Sequence, residues 1–457
     1  MSHSNEARQA GALAIEYVAR AALLPDARNT RKHPKAQLVK LEAAVRELGF
    51  NAPILIDEQN KIIAGHARLL VAETLGMKTV PCVRLTHLTA SQRRALAIAD
   101  NRIAEQAEWD PEALRAEFLS LGELEFPLEL TGFATAEIDI ILDTPLAVAS
   151  AAADTADQFA EPNREAPAVT RSGDLWLLGS HGLHCGDALN AASYEALLGE
   201  RRAAMVITDP PFNVPIQGHV SGLGKARHPE FVMASGEMSA EEFTRFLRQT
   251  MDLMVRFSAD GSLHFIFMDW RHIGEITTAA AGAYAECKAL CVWNKTNGGM
   301  GSLYRSKHEL VFVYKKGSAP HCNNVQLGRH GRYRTNVWDY AGANTFGRHR
   351  DADLACHPTV KPVGLVADAI RDCSKRGDII LDPFAGSGTI LLAAERTGRK
   401  AAAMELDPLY VDTAIKRWQE HTGRQATLSG SGQNFAEVAA ERAAVNFAEA
   451  PGRELRP

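Results

Sequence analysis

Short apolar runs with the composition of buried strands recur through the second half of the chain, at 204–208, 262–268, 289–293, 310–314, 378–381 and 401–404. Helical spacing of apolar residues fills most of the gaps between them, as in 240–257 and 362–374. Runs that are apolar at every position suit strands covered on both faces, and alternation of strand with helix builds a parallel sheet between helical layers. The pattern predicts an α/β fold with a Rossmann-like, doubly wound sheet, whose ligands gather at the carboxyl ends of the strands. The run at 310–314 follows its predecessor without a helix and is expected to be the antiparallel member. Residues 174–187 read as a hairpin with a Gly-rich turn leading to Asp187.

The first part of the chain has a different rhythm. Leu38, Leu41, Val45 and Leu48 are spaced for a helix that Gly49 closes, residues 53–65 read as two short strands around a polar turn, and 68–75 as a helix ended by Gly76. This predicts a smaller α/β domain over 1–145. Residues 146–170 turn to Ala, Asp, Thr, Glu and Pro, a linker composition. The larger domain is expected over 171–430, followed by a polar, Ala-rich tail over 431–457.

Composition narrows the class. With 46% apolar and 23% charged residues among 457, disordered and fibrous readings fall away. No apolar run is long enough to span a bilayer and the first residues are polar, so a cytoplasmic protein without a membrane partner is expected. Seven cysteines are scattered without a C-x-x-C pair, which argues against a zinc site or a disulfide framework, and no metal site is expected. A net charge of -5 is not that of a protein that coats nucleic acid, so any such binding must use local basic surface.

Two loops carry chemistry. The run ending at Thr208 opens into Asp209-Pro210-Pro211-Phe212-Asn213, where a carboxylate, two rigid prolines and an aromatic ring outline a slot for a planar amine. In isolation, Asp209 capping the next helix explains it about as well. The second loop, Asp382-Pro383-Phe384-Ala385-Gly386-Ser387-Gly388-Thr389, takes a strand through a Gly-rich turn into a helix, leaving amides free at the helix start. Leu391 stands where a dinucleotide fingerprint needs its third glycine and no Lys follows Gly388, so NAD and ATP are disfavoured. Glu405 closes the next strand, where doubly wound folds place the acid that holds a ribose diol. Turn, helix, strand and acid together indicate a ligand with an adenosine half.

Asp-Pro-Pro-Phe at 209–212 and Asp-Pro-Phe-Ala-Gly-Ser-Gly-Thr at 382–389 resemble the catalytic and cofactor motifs of amino-directed DNA methyltransferases, over about residues 172–428. The catalytic motif comes first, which is similar to the permuted β-class order, and Trp293-Asn294-Lys295, His308-Glu309 and the 357–362 segment ending in Lys361-Pro362 agree with it. The resemblance implies that S-adenosyl-L-methionine is the methyl donor and double-stranded DNA the substrate. It implies that Asp209, Pro210, Pro211 and Phe212 are catalytic, the base amine meeting Asp209 and the Pro210 carbonyl while Phe212 stacks on the extruded base. It further implies that Glu405 holds the ribose, that Asp382, Phe384, Gly386, Ser387, Gly388 and Thr389 surround the methionine part, that Asp187 lies near the adenine, and that Lys361 pairs with the methionine carboxylate. Asp at the head of the motif, where N4-cytosine enzymes usually have Ser, favours N6 of adenine; N4 of cytosine stays open.

The segment 317–350 is the candidate for target recognition, with Arg329, Arg332, Arg334, Arg348 and Arg350 interleaved with Tyr333, Trp338, Tyr340 and Phe346 for phosphates and bases. A second candidate is the Gly-rich loop 218–228. In the first domain, Gly65-His66-Ala67-Arg68 between strand and helix resembles the ParB/sulfiredoxin-like fold, which implies a nucleotide or DNA phosphate held by Gly65, His66 and Arg68. A homodimer is left open, as is a DNA-binding or segregation regulator built on an inactive methylase fold.

Overall fold

A computed structural model describes residues 13–124, 126–143, 155–157, 164, 166–213, 236–295, 298, 303–328, 333–342 and 360–449. The chain divides into two units, Met1–Ala147 and Val148–Pro457. In the first, strands β1 (Ile15–Ala19), β2 (Ile54–Ile56), β3 (Ile62–Ala64) and β4 (Thr79–Arg84) form a sheet of order β1-β4-β2-β3. Helices α1 (Lys35–Leu48) and α2 (His66–Thr74) follow the apolar spacing, and Leu23, Ile54, Ile56, Ile62, Ala72, Val80 and Cys82 make the core. Helix α3 (Ala90–Ala104) begins with a Thr89–Gln92 capping box, which satisfies free amides at both ends of the box. Helices α4 (Pro111–Glu123) and α5 (Thr135–Asp143) close on a separate cluster of Phe118, Leu128 and Ile138.

The second unit holds a ten-stranded sheet: β5 (Leu175–Leu178), β6 (His181–Cys185), β7 (Ala203–Thr208), β8 (Ser258–Met268), β9 (Glu286–Asn294), β10 (His308–Lys315), β11 (Val337–Asp339), β12 (Ile379–Asp382), β13 (Lys400–Glu405) and β14 (Thr427–Leu428). Their order is β11-β9-β10-β8-β7-β12-β13-β6-β5-β14. Strands β6, β13, β12, β7 and β8 pair in parallel, and β10 runs antiparallel to β8 and β9 as its connection requires. Side chains alternate between two cores: Met205, Ile207, Phe265 and Phe267 face one, Val206, Ile266 and Met268 the other. That two-sided burial is why these strands read as continuous apolar runs.

Helices α6 (Ala191–Leu198), α7 (Ala240–Arg256) and α8 (Ile273–Ala280) cover one face, and α9 (Val363–Cys373), α10 (Thr389–Thr397), α11 (Pro408–Thr422) and α12 (Phe435–Glu449) the other. The chain leaves β7 outward through β8 and returns by β12 on the opposite side of β7, so two loops distant in sequence share one edge. Thr208 Oγ1 donates to Asp382 Oδ1 across that junction at 2.6 Å.

Segments set apart by composition turn out to pack on this unit. Within the expected linker, the Ala156 carbonyl accepts from Arg417 and Asp157 caps α9 by accepting from Val363 N at 2.7 Å. Within the expected tail, Phe435 and Val438 of α12 are buried and Arg442 pairs with Asp174 at 2.5 Å. Among the described residues no helix is long and apolar enough to cross a membrane.

Candidate active site

Beyond the carboxyl ends of β6, β7, β12 and β13 lies a cavity of about 220 Å³. Its walls include Asp209, Pro210, Pro211 and Phe212 together with Asp187, Lys361, Asp382, Phe384, Gly386, Ser387, Thr389 and Glu405. The two motifs therefore share one cleft. Phe246, Phe267, Val366 and Ile390 add apolar wall, and Asp407 and Tyr410 add polar groups near Glu405; none of these carries a motif signal.

Glu405 is tied into the glycine turn, its Oε2 accepting from Gly386 N and its Oε1 from Asp407 N, each at 2.9 Å. Burial pushes its pKa up against those bonds. Asp382 accepts from Thr208 Oγ1 and from Phe384 N, yet burial pushes its carboxyl up to about 7. Gly386 has φ +52, and a Cβ there would meet nothing within 4 Å. Gly388 does not line the cavity. It starts α10 at φ +81, where a Cβ would stand 2.6 Å from Ala414 Cβ, so it serves the packing of α10 on α11. Behind the turn, Arg417 is buried and donates to Ser387 O and Oγ and to Thr389 Oγ1. Its position inside an ordinary helical pattern gave it no motif signal.

Asp209 Oδ2 accepts from Lys361 at 2.5 Å, while Oδ1 is buried without a hydrogen-bond partner among the described residues. Burial pushes the Asp209 carboxyl up to about 6, the Lys361 charge opposing that rise. Lys361 is 7% exposed at its side chain and also faces Glu309, at 3.2 Å. Lys361, expected to pair with a methionine carboxylate, pairs in this structure with two carboxylates of the protein itself. Asn213, with φ +53, accepts from Gly236 N and Met238 N and donates to Met238 O, pinning the chain together across the segment 214–235.

Residues 203–416 match the N6/N4 DNA methylase family, and residues 112–172 match the ParB-methyltransferase HTH domain. The chain carries an N6/N4 DNA methylase domain. This DNA methyltransferase, whose methyl donor is S-adenosylmethionine, is 24% identical over 251 residues to the type II methyltransferase M.HpaI of Haemophilus parainfluenzae, covering 51% of this chain and 73% of that protein. Over 72 residues it is 42% identical to YnaK of Escherichia coli strain K12, a ParB-like nuclease domain-containing protein, covering 16% of this chain and 83% of that one. The solved M1.HpyAVI–SAM complex is 20% identical and covers 51% of this chain and 97% of its own, with a TM-score of 0.38.

The cleft fits the methylase donor on its own chemistry. The open space over Gly386, the acids Asp187, Glu405 and Asp407, and the rings of Phe384 and Phe246, 5.9 Å apart, suit a ligand with polar ribose, flat purine and cationic centre.

The expected DNA-contact set needs a correction at Arg334. Its Nε donates to Asp372 at 3.0 Å and its Nη1 to the Tyr340 hydroxyl at 3.0 Å, with the guanidinium 5.5 Å from the Trp338 ring. Trp338 is buried in β11 beside β9, so the described part of this stretch is sheet edge and core that holds Arg334, Trp338 and Tyr340 in packing, while Tyr333 is exposed. Arg329, Arg332, Arg348 and Arg350, like the loop 218–228, lie outside the described residues. In the ParB-like unit, Arg68 donates to the carbonyls of Ala52 and Pro53 at 2.7 and 2.6 Å, and His66 Nε2 accepts from Asp26 N at 3.2 Å. One nitrogen of the fork expected to meet a phosphate, Nη1, is bonded to its own backbone.

Proposed function

We propose that this methylase transfers a methyl group to the exocyclic N6 of adenine in double-stranded DNA, with Asp209 as the residue that receives the amine. The observation that carries this is the bare Oδ1 of Asp209, a buried acceptor on a side chain that lines the cleft shared with the donor-binding turn. An unpaired buried acceptor is costly, and an amine N–H satisfies it. Asp rather than Ser at the head of the motif favours adenine.

The bound donor supplies an electrophilic methyl carbon. Asp209 Oδ1 and the Pro210 carbonyl accept the two amine hydrogens, which draws the nitrogen lone pair out of the ring and aims it at that carbon. The new C–N bond forms as the methyl leaves its sulfur, and the nitrogen, now positive, sheds one proton to Asp209. Positioning and fixed charge supply the rate. Phe212, part of the cleft wall, stacks on the extruded base and offsets an unstacking cost of a few kcal/mol.

Tritium transfer from labelled donor to mixed-sequence DNA tests the reading. The parent protein labels DNA and Asp209→Ala does not, while still binding the donor; equal labelling by both removes Asp209 from the reaction.

A further inference from the structure

Asp209 is one of four ionisable side chains that meet in sequence behind Phe212, and the other three have no part in the chemistry above. Lys361 Nζ lies 2.5 Å from Asp209 Oδ2 and 3.2 Å from Glu309 Oε2, and Glu309 Oε1 accepts from Lys295. Negative and positive charges alternate along Asp209, Lys361, Glu309 and Lys295 and cancel. Lys361 is enclosed by rings as well, its ammonium 5.1 Å from Phe267, 5.6 Å from Phe212 and 5.9 Å from Trp293. Lys295 Nζ lies 4.5 Å from the Trp293 ring centroid.

The sheet holds this chain of charges in place. Glu309 stands at the start of β10 opposite Trp293 of β9, and Lys295 N bonds Lys307 O one step beyond, so both side chains reach the same edge as β7. Lys361 comes from the segment that leads into α9, where Thr389 Oγ1 donates to its carbonyl. Four separate elements converge on a carboxylate whose second oxygen is bare.

We propose that Lys361 is a positioning residue for methyl transfer, anchoring Oδ2 of Asp209 so that the ionised Oδ1 faces the amine, and that Glu309, backed by Lys295, sets how firmly that anchor holds. The proposal rests on the reading of Asp209 as the amine acceptor. Lys361 is shared: what it gives Glu309 it withholds from Asp209. Burial works against ionisation of both acids, but Glu309 has two ammoniums and is held below its ordinary range, whereas Asp209 has one and rises to about 6. Lys361 itself is raised, the two carboxylates outweighing its own burial, so it stays charged through neutral pH. Among the described residues Asp382, from β12, also faces Asp209 and is bonded to Thr208 and Phe384 N. After transfer, Asp209 carries a proton and attracts Lys361 less, and Glu309 keeps the ammonium in the site until that proton leaves.

The sign of this coupling is the test. Single-turnover transfer from labelled donor to DNA is followed over about pH 5 to 9 for the parent, Lys361→Met, Glu309→Gln and Asp209→Ala. The parent loses rate as pH falls through about 6. Lys361→Met removes the anchor, so its acid limb moves up by about one pH unit or more and its plateau rate falls about tenfold or more, with the donor KM within about threefold. Glu309→Gln removes the competing carboxylate from Lys361, so its limb moves down. Lys361→Arg keeps the charge and stays near the parent; should Lys361→Met fail to fold, the downward shift in Glu309→Gln decides. Limbs that stay put, or that move in the same direction, overturn the proposal, as does a Lys361→Met effect confined to donor KM, which would place Lys361 on the donor instead. Asp209→Ala with full activity overturns the amine-acceptor reading and this proposal with it, whereas a dead Asp209→Ala with limbs that do not diverge overturns this proposal alone.

Discussion

Two glycines two positions apart in the donor turn separate binding from folding. Both have positive φ, +52 at Gly386 and +81 at Gly388, so alanine at either costs about 1 kcal/mol in backbone strain. The surroundings then diverge. At Gly386 the new methyl meets no atom within 4 Å and projects over the cleft, so stability falls by that strain alone. At Gly388 it lands 2.6 Å from Ala414 Cβ and 3.2 Å from Ala414 Cα, which forces α10 and α11 apart and adds about 1–3 kcal/mol. At roughly 2 °C per kcal/mol for a unit of this size, Gly386→Ala lowers Tm by about 2 °C and Gly388→Ala by about 4–8 °C. Calorimetric titration with S-adenosylmethionine reads the other side: Gly386→Ala weakens binding at least tenfold, and Gly388→Ala, measured well below its Tm, by less than about threefold. A Gly386→Ala protein that melts as early as Gly388→Ala while binding the donor normally would refute the reasoning.

Further predictions concern charge. Asp382 has a folded pKa of about 7 against an ordinary 3.8, so its neutral form is favoured in the fold: the stability it contributes is present below about pH 4 and is lost as pH rises through 7. Asp382→Asn keeps the acceptor for Thr208 and removes that loss, so urea titration shows a gain of up to roughly 4 kcal/mol at pH 8 that vanishes near pH 4; a gain independent of pH counts against it. Arg334→Met removes an ion-pair partner from the buried Asp372 and destabilises by about 3 kcal/mol, with DNA affinity and its salt dependence unchanged in filter binding. Replacing Arg329, Arg332, Arg348 and Arg350 together by alanine lowers the slope of log affinity against log salt by up to roughly 3.6, on the proposal that each meets one phosphate; an unchanged slope removes them from the DNA contact.

The sheet and its helices were legible because burial on two faces leaves an unbroken apolar run, and burial on one face a periodic one: 240–257 differs from Ala240–Arg256 by a single residue. The pairing of β12 beside β7 was legible only through the motifs, since nothing local in either strand names its neighbour. What stayed hidden depends on partners far along the chain. Arg334 looks like a phosphate ligand until Asp368 and Asp372 of α9 are placed next to it. Lys361 lies 152 residues from Asp209, and its charge points to the donor or to the acid with equal ease until β10 supplies Glu309. β11 is three residues long in a polar context, and α12 buries Phe435 and Val438 amid alanines, so neither pattern exceeded that of a loop or tail. Arg68 shows the local counterpart, a motif residue with one guanidinium nitrogen bonded to nearby backbone.

Expression of the parent protein and of Asp209→Ala in a host lacking DNA methylation, followed by nucleoside digestion of genomic DNA and mass spectrometry, bears most directly on the reaction. N6-methyladenine in the parent and none in the variant is the expected result. N4-methylcytosine in its place, or N6-methyladenine that persists without the Asp209 carboxylate, would contradict the assignment of base or of residue respectively.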